Sequence, residues 1–220
     1  GGAAFPAGIK WKTVQQASSS QKYICCNADE GDSGTFADRM LMEGDPYQLL
    51  EGMLIAGWAV GATLGFIYLR SEYPDAERVL KEAIRRAEEA GYLGENLDGK
   101  GWGFRVELRR GAGAYICGEE TAMLESLEGK RGIVRAKPPL PALSGLFGKP
   151  TLVHNVLSLA AVPTILSKGS AYYASFGSGR SKGTLAFQLA GNIRRGGLLE
   201  LPFGISLRRV VEELGGGTAS

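Results

Sequence analysis

Gly118, Glu119 and Glu120 are the residues whose types and spacing most clearly indicate a binding site. An apolar, β-prone stretch precedes them and residues 122–128 are helix-forming, so the two acids lie at a predicted helix N-terminus. Free backbone N–H groups and the positive end of the helix dipole make such a terminus suitable for anions. Gly111 and Gly113 are two further positions where a ligand could approach the backbone closely. We therefore expect the phosphate of a nucleotide or a flavin to bind here.

A second group of polar residues, residues 27–32, directly follows a predicted buried strand over residues 22–26. Polar side chains in this position suit ligand binding at the carboxyl end of a parallel sheet. A calcium loop is the alternative, but the turn lacks the twelve-residue spacing and the terminal glutamate of an EF-hand. We therefore predict an organic ligand at this turn and no metal site.

The first eleven residues combine glycines with two aromatic side chains, Phe5 and Trp11, and one lysine, Lys10. A plain loop is one interpretation of this segment. The composition is unusual for a plain loop, however, and it suits a cover over a planar, anionic cofactor. We favour the second interpretation.

The sequence lacks the motifs of several other classes of protein. No Gly-x4-Gly-Lys-Ser/Thr motif is present, and the glycines of residues 111–118 lack the spacing of the dinucleotide fingerprint. His154 is the only histidine, which weakens hydrolase interpretations, and a packed or capping role is its commonest alternative. Cys25, Cys26 and Cys117 form no Cys-x-x-Cys motif, which argues against disulfides and iron–sulfur sites and favours a reduced, cytoplasmic setting. A net charge of +2 without a basic run does not indicate nucleic-acid binding.

Alternating strand and helix signals must position these residues. Strands are predicted over residues 22–26, 66–70, 104–108 and 115–116, and helices over residues 45–61, 76–90, 122–128 and 152–166. The apolar stretch 49–68 contains Glu51 and is interpreted as a buried helix that leads into a strand, not as a membrane span. This alternation predicts an α/β fold, a parallel sheet with helices on both faces.

Residues 182–220 have a different pattern. Two strands are predicted over residues 184–189 and 197–201, with a turn at Gly191 between them. Ser206 is a predicted cap for a helix over residues 207–214. A hairpin followed by a helix predicts the beginning of a small α+β domain.

Five motifs occur in a fixed order along the chain: GGAAFPAGIKW (1–11), CNADE (26–30), GAGAYICGEET (111–121), KPPLP (137–141) and GKPT (148–151). Together they resemble the family of FMN- and NADH-binding subunits of respiratory complex I and its soluble relatives. The resemblance implies a Rossmann-like domain over residues 1–175 that holds FMN, with NADH stacked on the exposed flavin face. It further implies the beginning of a β-grasp-like domain over residues 182–220, with a 4Fe–4S cluster bound beyond that point.

The resemblance implies no catalytic side chain, because hydride passes between the two cofactors and Glu120 only helps to position the nicotinamide. Backbone N–H groups are expected to bind the phosphate, while the acids bind hydroxyls and the carboxamide. The residues implied at the FMN site are Gly2, Lys10, Asn27, Asp29, Gly118, Glu119 and Asn155. Those implied at the nicotinamide nucleotide are Phe5, Asp32, Tyr115, Glu120 and Lys137, and Gly1, Glu30, Thr151 and His154 complete the cofactor-binding set.

Residues 29–40 and 128–135 resemble most closely the β subunit of NAD-dependent formate dehydrogenase. The diaphorase subunit of NAD-reducing hydrogenase and the complex I subunit are alternatives, and a scaffold module that lost its cofactor is the non-enzyme alternative. The expected partners are NADH or NAD+ and the iron–sulfur and catalytic subunits of a multi-subunit complex. Neither nucleic acid nor a transmembrane segment is expected.

Overall fold

A four-stranded parallel sheet organises the larger of two compact units, residues 1–163 and 164–220, in a computed structural model that describes residues 5–219. The spatial order is β3-β2-β1-β4, so β1 and β2 are central and the other two strands form the edges. The strands are β1 (Tyr23–Ala28), β2 (Leu64–Leu69), β3 (Arg105–Arg110) and β4 (Thr151–Asn155).

Helices cover both faces of the sheet, as predicted. Alternate residues of β1 point in opposite directions: Ile24 and Cys26 belong to one buried apolar cluster and Cys25 to the other, together with Met123 and Leu146. The helices are α1 (Ala7–Gln16), α2 (Ala37–Gly44), α3 (Pro46–Val60), α4 (Pro74–Glu89), α5 (Glu120–Leu127), α6 (Pro141–Ser144) and α7 (Val156–Lys168). Two 3₁₀ turns lie at Tyr115–Gly118 and Leu146–Gly148.

Helix α3 begins and ends where the sequence indicates. The Asp45 side chain accepts a hydrogen bond from the backbone N–H of Gln48 over 3.2 Å, and Pro46 occupies the first helical position. The helix stops at Gly61, whose φ of 75° is a left-handed conformation that glycine adopts without a steric penalty. Local residue chemistry is therefore sufficient to define this helix.

Two predicted elements are wrong. Residues 152–155 belong to strand β4 and not to a helix, because Cys25 of β1 pairs with Val153 in parallel register. A fully buried parallel strand is a continuous apolar run, which periodicity alone does not separate from a helix. Residues 115–116 belong to a 3₁₀ turn and not to a strand. The other predicted elements of this unit agree with the structure within two residues at each end.

Helices α3 and α7 approach each other closely at Gly52. A Cβ atom added at this glycine would lie 2.0 Å from the carbonyl oxygen of Leu159. The Gln48 side chain also donates to the carbonyl oxygen of Ala160 over 2.8 Å. The absence of a side chain at Gly52 is therefore what permits this helix contact.

The second unit contains the predicted hairpin and the helix that follows it. After the last residues of α7, it contains α8 (Ser170–Ser175) and the short strands β5 (Gly177–Ser178) and β6 (Ser181–Lys182). Strand β7 (Thr184–Leu189) pairs antiparallel with β8 (Gly197–Pro202). A π-helix follows over Arg209–Leu214, and the hydroxyl of Ser206 accepts a hydrogen bond from the backbone N–H of Arg209 at its start. No helix within residues 5–219 is both long and apolar enough to cross a lipid bilayer.

Candidate functional site

The candidate site lies at the carboxyl edge of the parallel sheet. Because all four strands run in one direction, the segments after them meet at this edge. They include the acidic turn after β1 and Asn155 at the end of β4. The turn Tyr115–Gly118 joins them, because the Asn27 side chain donates to the carbonyl oxygen of Gly118 over 2.8 Å.

Asp29 has a buried side-chain oxygen without a hydrogen-bond partner in the described structure. The backbone N–H of the same residue has a partner, because it donates to Asn27 Oδ1 over 3.2 Å. A Cβ atom added at Gly118 would lie 3.9 Å from the unpartnered oxygen, so a surface without a side chain faces it. A buried acceptor without a donor is costly, and a ligand hydroxyl would satisfy it.

Burial raises the pKa of Asp29, and the positive charge of Arg70 opposes that rise. Arg70 directly follows β2, and its side chain donates to the backbone carbonyl of Glu30. Its guanidinium carbon is also 5.0 Å from the centre of the Tyr73 ring. Arg70 therefore supports the backbone of the acidic turn, a role that the sequence interpretation missed.

The Glu30 side chain points toward helix α2. Its carboxylate accepts from the backbone N–H groups of Asp38 and Arg39 over 3.1 and 3.2 Å, and from the Tyr73 hydroxyl over 2.9 Å. These bonds satisfy orphan donors at the start of α2. The structure thus uses the Glu30 carboxylate to fix the acidic turn to its neighbours.

Tyr115 and Asp32 connect the 3₁₀ turn with the acidic turn. The Tyr115 hydroxyl donates to Asp32 Oδ1 over 2.8 Å, and this acceptor raises the pKa of the phenol. The tyrosine ring lies directly over Gly31, where an added Cβ would be 2.8 Å from a ring carbon. Tyr115 is nevertheless 70% exposed, so most of its ring is available to a ligand.

The predicted anion site at the N-terminus of α5 is occupied by the protein itself. Glu119 Oε2 accepts from the backbone N–H groups of Thr121 and Ala122 over 2.8 and 2.9 Å. In the described structure these two N–H groups are therefore already bonded within the chain, and the binding of a phosphate by backbone N–H groups stays a prediction. A glutamate at this position caps the helix, and its charge interacts favourably with the helix dipole.

Glu119 and Glu120 form a charge cluster with two lysines. Lys137 Nζ donates to Glu119 Oε1 over 3.1 Å and to Glu120 Oε1 over 2.6 Å, while Lys10 Nζ lies 3.7 Å from Glu120 Oε2. Burial raises the pKa of Glu119, but the hydrogen bonds from Thr121, Ala122 and Lys137 outweigh it and leave the pKa below its usual value. The cluster thus pairs two carboxylates with two ammonium groups.

Helix α1 brings Lys10 toward the sheet edge. Lys10 Nζ also donates to the carbonyl oxygen of Val153 in β4 over 3.4 Å. Phe5 precedes α1 and is 49% exposed. Gly1 and Gly2, which belong to the expected cofactor-binding set, lie outside the described residues.

The three predicted site residues of β4 do not all lie at the candidate site. Asn155 lies at the carboxyl end, where its side chain donates to Asp38 Oδ2 over 2.7 Å and accepts from the backbone N–H of Leu157 over 2.9 Å. His154 is buried next to it. Thr151 lies at the opposite end of the strand, about 13 Å from Asn155 for four residues at 3.3 Å each. Its hydroxyl accepts from the backbone N–H of Leu146 and donates to the carbonyl oxygen of Lys149, both in the turn before β4.

Asp38 is a site residue that the sequence interpretation did not identify. It is 5% exposed, in the first turn of α2. Burial raises its pKa to about 7, the charge of Glu30 adds to the rise, and the hydrogen bond from Asn155 opposes it. No sequence motif marks this aspartate, because its burial results from packing between α2 and the end of β4.

These groups match the chemistry of a flavin nucleotide with a second nucleotide beside it. Asp29 offers an unpartnered acceptor for a hydroxyl, Gly118 leaves room next to it, and Lys10 supplies a positive charge. The exposed Tyr115 and Phe5 supply aromatic surface. No group of three or more histidine, cysteine, aspartate or glutamate side chains within residues 5–219 could hold a metal ion.

A protein-family model described as the Nuo51 FMN-binding domain matches residues 1–164. Among curated proteins, a subunit of an NADH-quinone oxidoreductase of Rhizobium meliloti is 54% identical over 99% of the chain and 52% of its own length. The NADP-reducing hydrogenase subunit HndC of Solidesulfovibrio fructosivorans is 52% identical over 99% of the chain and 44% of its own length. The chain thus spans about half the length of these relatives.

Among solved structures, an NAD+-reducing NiFe-hydrogenase in the H2-reduced state superimposes with a TM-score of 0.91 at 37% sequence identity. The match covers 100% of this chain and 37% of the matched one. The same kind of hydrogenase in the air-oxidised state has a TM-score of 0.86 at 39% identity, over 95% of this chain and 35% of the other. These similarities support the α/β fold described above.

Proposed function

The chain belongs to the Nuo51 FMN-binding domain family, and we propose that it binds FMN and NADH as part of an NADH-oxidising flavoprotein. The observation that carries the proposal is the unpartnered, buried oxygen of Asp29, which faces the open surface of Gly118. A hydroxyl-bearing ligand is the group that this arrangement lacks.

In this proposal, Asn27, Asp29 and Gly118 would hold the ribityl chain of FMN, and Lys10 would balance negative charge on the flavin. When bound, FMN would supply the redox chemistry, as the acceptor of a hydride from NADH and the donor of electrons to a further carrier. The remaining task of the protein is to place the two rings face to face and exclude water. Glu120 and Lys137 would bind the nicotinamide nucleotide through its hydroxyls and its amide.

The burial of His154 is consistent with a reaction that the two cofactors carry out without a catalytic histidine. Hydride transfer between two cofactors needs neither a nucleophile nor a histidine base. Burial lowers the pKa of His154 to about 3, and the charge of Lys10 adds to the effect. The imidazole therefore stays neutral at physiological pH, which suits a packed residue next to a cofactor site.

The experiment that tests the proposal uses the full-length polypeptide in its native assembly. We expect the purified protein to show the absorption of oxidised flavin and to lose it when NADH is added anaerobically. A colourless preparation with intact secondary structure would contradict the proposal and support the alternative, a scaffold module without cofactor.

The identity of the partner enzyme is a finer proposal. Residues 29–40 and 128–135, which resemble the formate dehydrogenase β subunit, support an NAD-dependent formate dehydrogenase in the cytoplasm. The similarity to HndC supports a hydrogenase instead. The native complex can be incubated with NAD+ and either formate or H2: NADH formation from formate supports the first assignment, and formation from H2 alone contradicts it.

A further inference from the structure

Residues 131–139 present Lys137 to the two glutamates without any regular secondary structure. Among the backbone N–H groups of residues 131–139, all within the described part of the chain, only that of Arg135 has a hydrogen-bond partner. It donates to the Thr121 hydroxyl over 2.9 Å. The segment that contains Lys137 therefore depends on few contacts for its position. Arg135, two residues before Lys137, makes most of them.

The side chain of Arg135 uses all three of its nitrogens. Nε donates to Glu125, Nη2 donates to Glu128 Oε1 over 2.8 Å, and Nη1 donates to the carbonyl oxygen of Gly145 over 3.0 Å. Glu128 accepts a further bond from the backbone N–H of Phe147 over 2.8 Å, and its side chain is only 6% exposed. The guanidinium thus joins α5 to the turn before β4 in one planar network.

The same residue is connected to the glutamate cluster through Thr121. The Thr121 hydroxyl accepts from the backbone N–H of Arg135 and donates to Glu119 Oε2. Glu119 Oε1 in turn accepts from Lys137. The backbone of Arg135 is therefore linked to Lys137 through Thr121 and Glu119, and its side chain fixes the same segment to Glu125, Glu128 and Gly145.

We propose that Arg135 is a positioning residue for the nicotinamide nucleotide, which acts by holding Lys137 against Glu119 and Glu120. The inference rests on the proposed function only in taking the ligand of Lys137 to be NADH. Arg135 itself has no contact with the carboxylates of Glu119 and Glu120 in the described structure. Its partners are Glu125 and Glu128, at and beyond the later turns of α5.

The first test compares R135A with R131A in the full-length protein within its native assembly. Arg131 lies in the same segment, is exposed, and has no ion pair in the described structure. R135A removes the side-chain contacts to Glu125, Glu128 and Gly145 and keeps the backbone bond to Thr121. We expect it to raise the KM for NADH by about tenfold with flavin content unchanged, because the released segment no longer holds Lys137 in its charge-assisted contacts. R131A should change it by less than about twofold. Equal effects of the two substitutions would overturn the inference.

The second test asks whether Arg135 acts through Lys137, by measuring NADH kinetics for R135A, K137A and the double variant. If Arg135 positions Lys137, R135A will add less than about twofold in the K137A background. A tenfold effect that persists without Lys137 would contradict this route. R135K keeps one positive charge but not the planar three-way contact, so we expect an intermediate effect of about threefold.

The third test does not depend on activity. Amide hydrogen exchange of residues 131–139 should become faster in R135A and not in R131A, in protein that retains its flavin. Unchanged exchange would overturn the inference even if the kinetics changed. Failure of the proposed function is distinguishable from this result, because it would appear as absent flavin or absent NADH oxidation in the unsubstituted protein.

Discussion

The indole N–H of Trp11 donates to His154 Nε2 over 2.8 Å and thereby joins helix α1 to strand β4. An indole nitrogen can only donate, so Nε2 of the histidine is unprotonated and the ring is the neutral tautomer with its proton on Nδ1. The side chain that follows along the chain, Asn155, is fixed in turn by Asp38. The end of β4 is therefore held from two sides, by α1 and by α2.

Asp38 should make the stability of the protein depend on pH. Its folded-state pKa of about 7 lies above the ordinary value of 3.8, so the folded state binds the proton more strongly than the unfolded chain. The contribution is fully present below about pH 4 and is lost as the pH rises through about 7. We expect D38N, which retains an acceptor for Asn155, to remove this part of the slope.

The measurement is the free energy of unfolding between about pH 4 and 8 for the unsubstituted protein and for D38N. His154 contributes the opposite slope, because its lowered pKa makes the folded state lose stability as the pH falls below the ordinary value of 6.5. The free energy of unfolding of D38N should therefore rise more steeply with pH over this range than that of the unsubstituted protein. D75N, at an exposed pair with Arg78, is the control, and identical slopes for D38N and D75N would contradict the prediction.

Glu120 should affect NADH use more than flavin content. Its carboxylate lies between Lys10 and Lys137, so E120A removes a hydrogen-bond acceptor and leaves both lysines without this partner. We expect the KM for NADH in ferricyanide assays to rise by about tenfold, with the flavin absorbance per polypeptide unchanged. E51A, at an exposed position of α3, is the matched control. An unchanged KM in E120A would count against the prediction.

Gly118 should control the occupancy of FMN. An added Cβ would lie 3.5 Å from the carbonyl oxygen of Asp29, an ordinary contact, so G118A should fold normally. The larger branches of valine would extend over the unpartnered oxygen of Asp29 and exclude a ligand hydroxyl. We expect G118V to lose most of its flavin while its melting temperature without flavin matches that of G118A. A full flavin spectrum in G118V would refute this interpretation.

Gly52 should be intolerant of any side chain. Its added Cβ would lie 2.0 Å from the Leu159 carbonyl oxygen, so G52A must separate α3 from α7. Overpacking of this kind costs about 1–3 kcal/mol of unfolding free energy. G44A, in a helical position with nothing within 4 Å of the added Cβ, should instead be neutral or stabilising. Chemical denaturation of both variants tests the pair, and equal stabilities would show that the helices can separate freely.

Local chemistry explains which elements the sequence predicts well. Asp45, Pro46 and Gly61 define α3 because cap and stop signals act within a few residues. The sequence does not predict strand β4, because its apolar run acquires an extended conformation only by pairing with β1, which lies far earlier in the chain. The local sequence of β4 contains no signal that specifies pairing with a strand so far away in the chain.

The candidate site shows the same division. The motifs identify the acidic turn and the glutamate pair as neighbours, and the contact between Asn27 and Gly118 is consistent with that expectation. The direction of each carboxylate was not predictable, because Glu30 and Glu119 use their oxygens to cap helices α2 and α5. Asp38 and Arg135 were missed because their importance depends on burial and on partners distant in sequence.

The cap of helix α5 makes this end of the helix self-sufficient. The Glu119 carboxylate satisfies the N–H donors of Thr121 and Ala122 with the chain's own atoms. The first turn of α5 therefore needs no bound group to satisfy these two donors, and the local geometry of the glutamate pair is defined by the polypeptide alone.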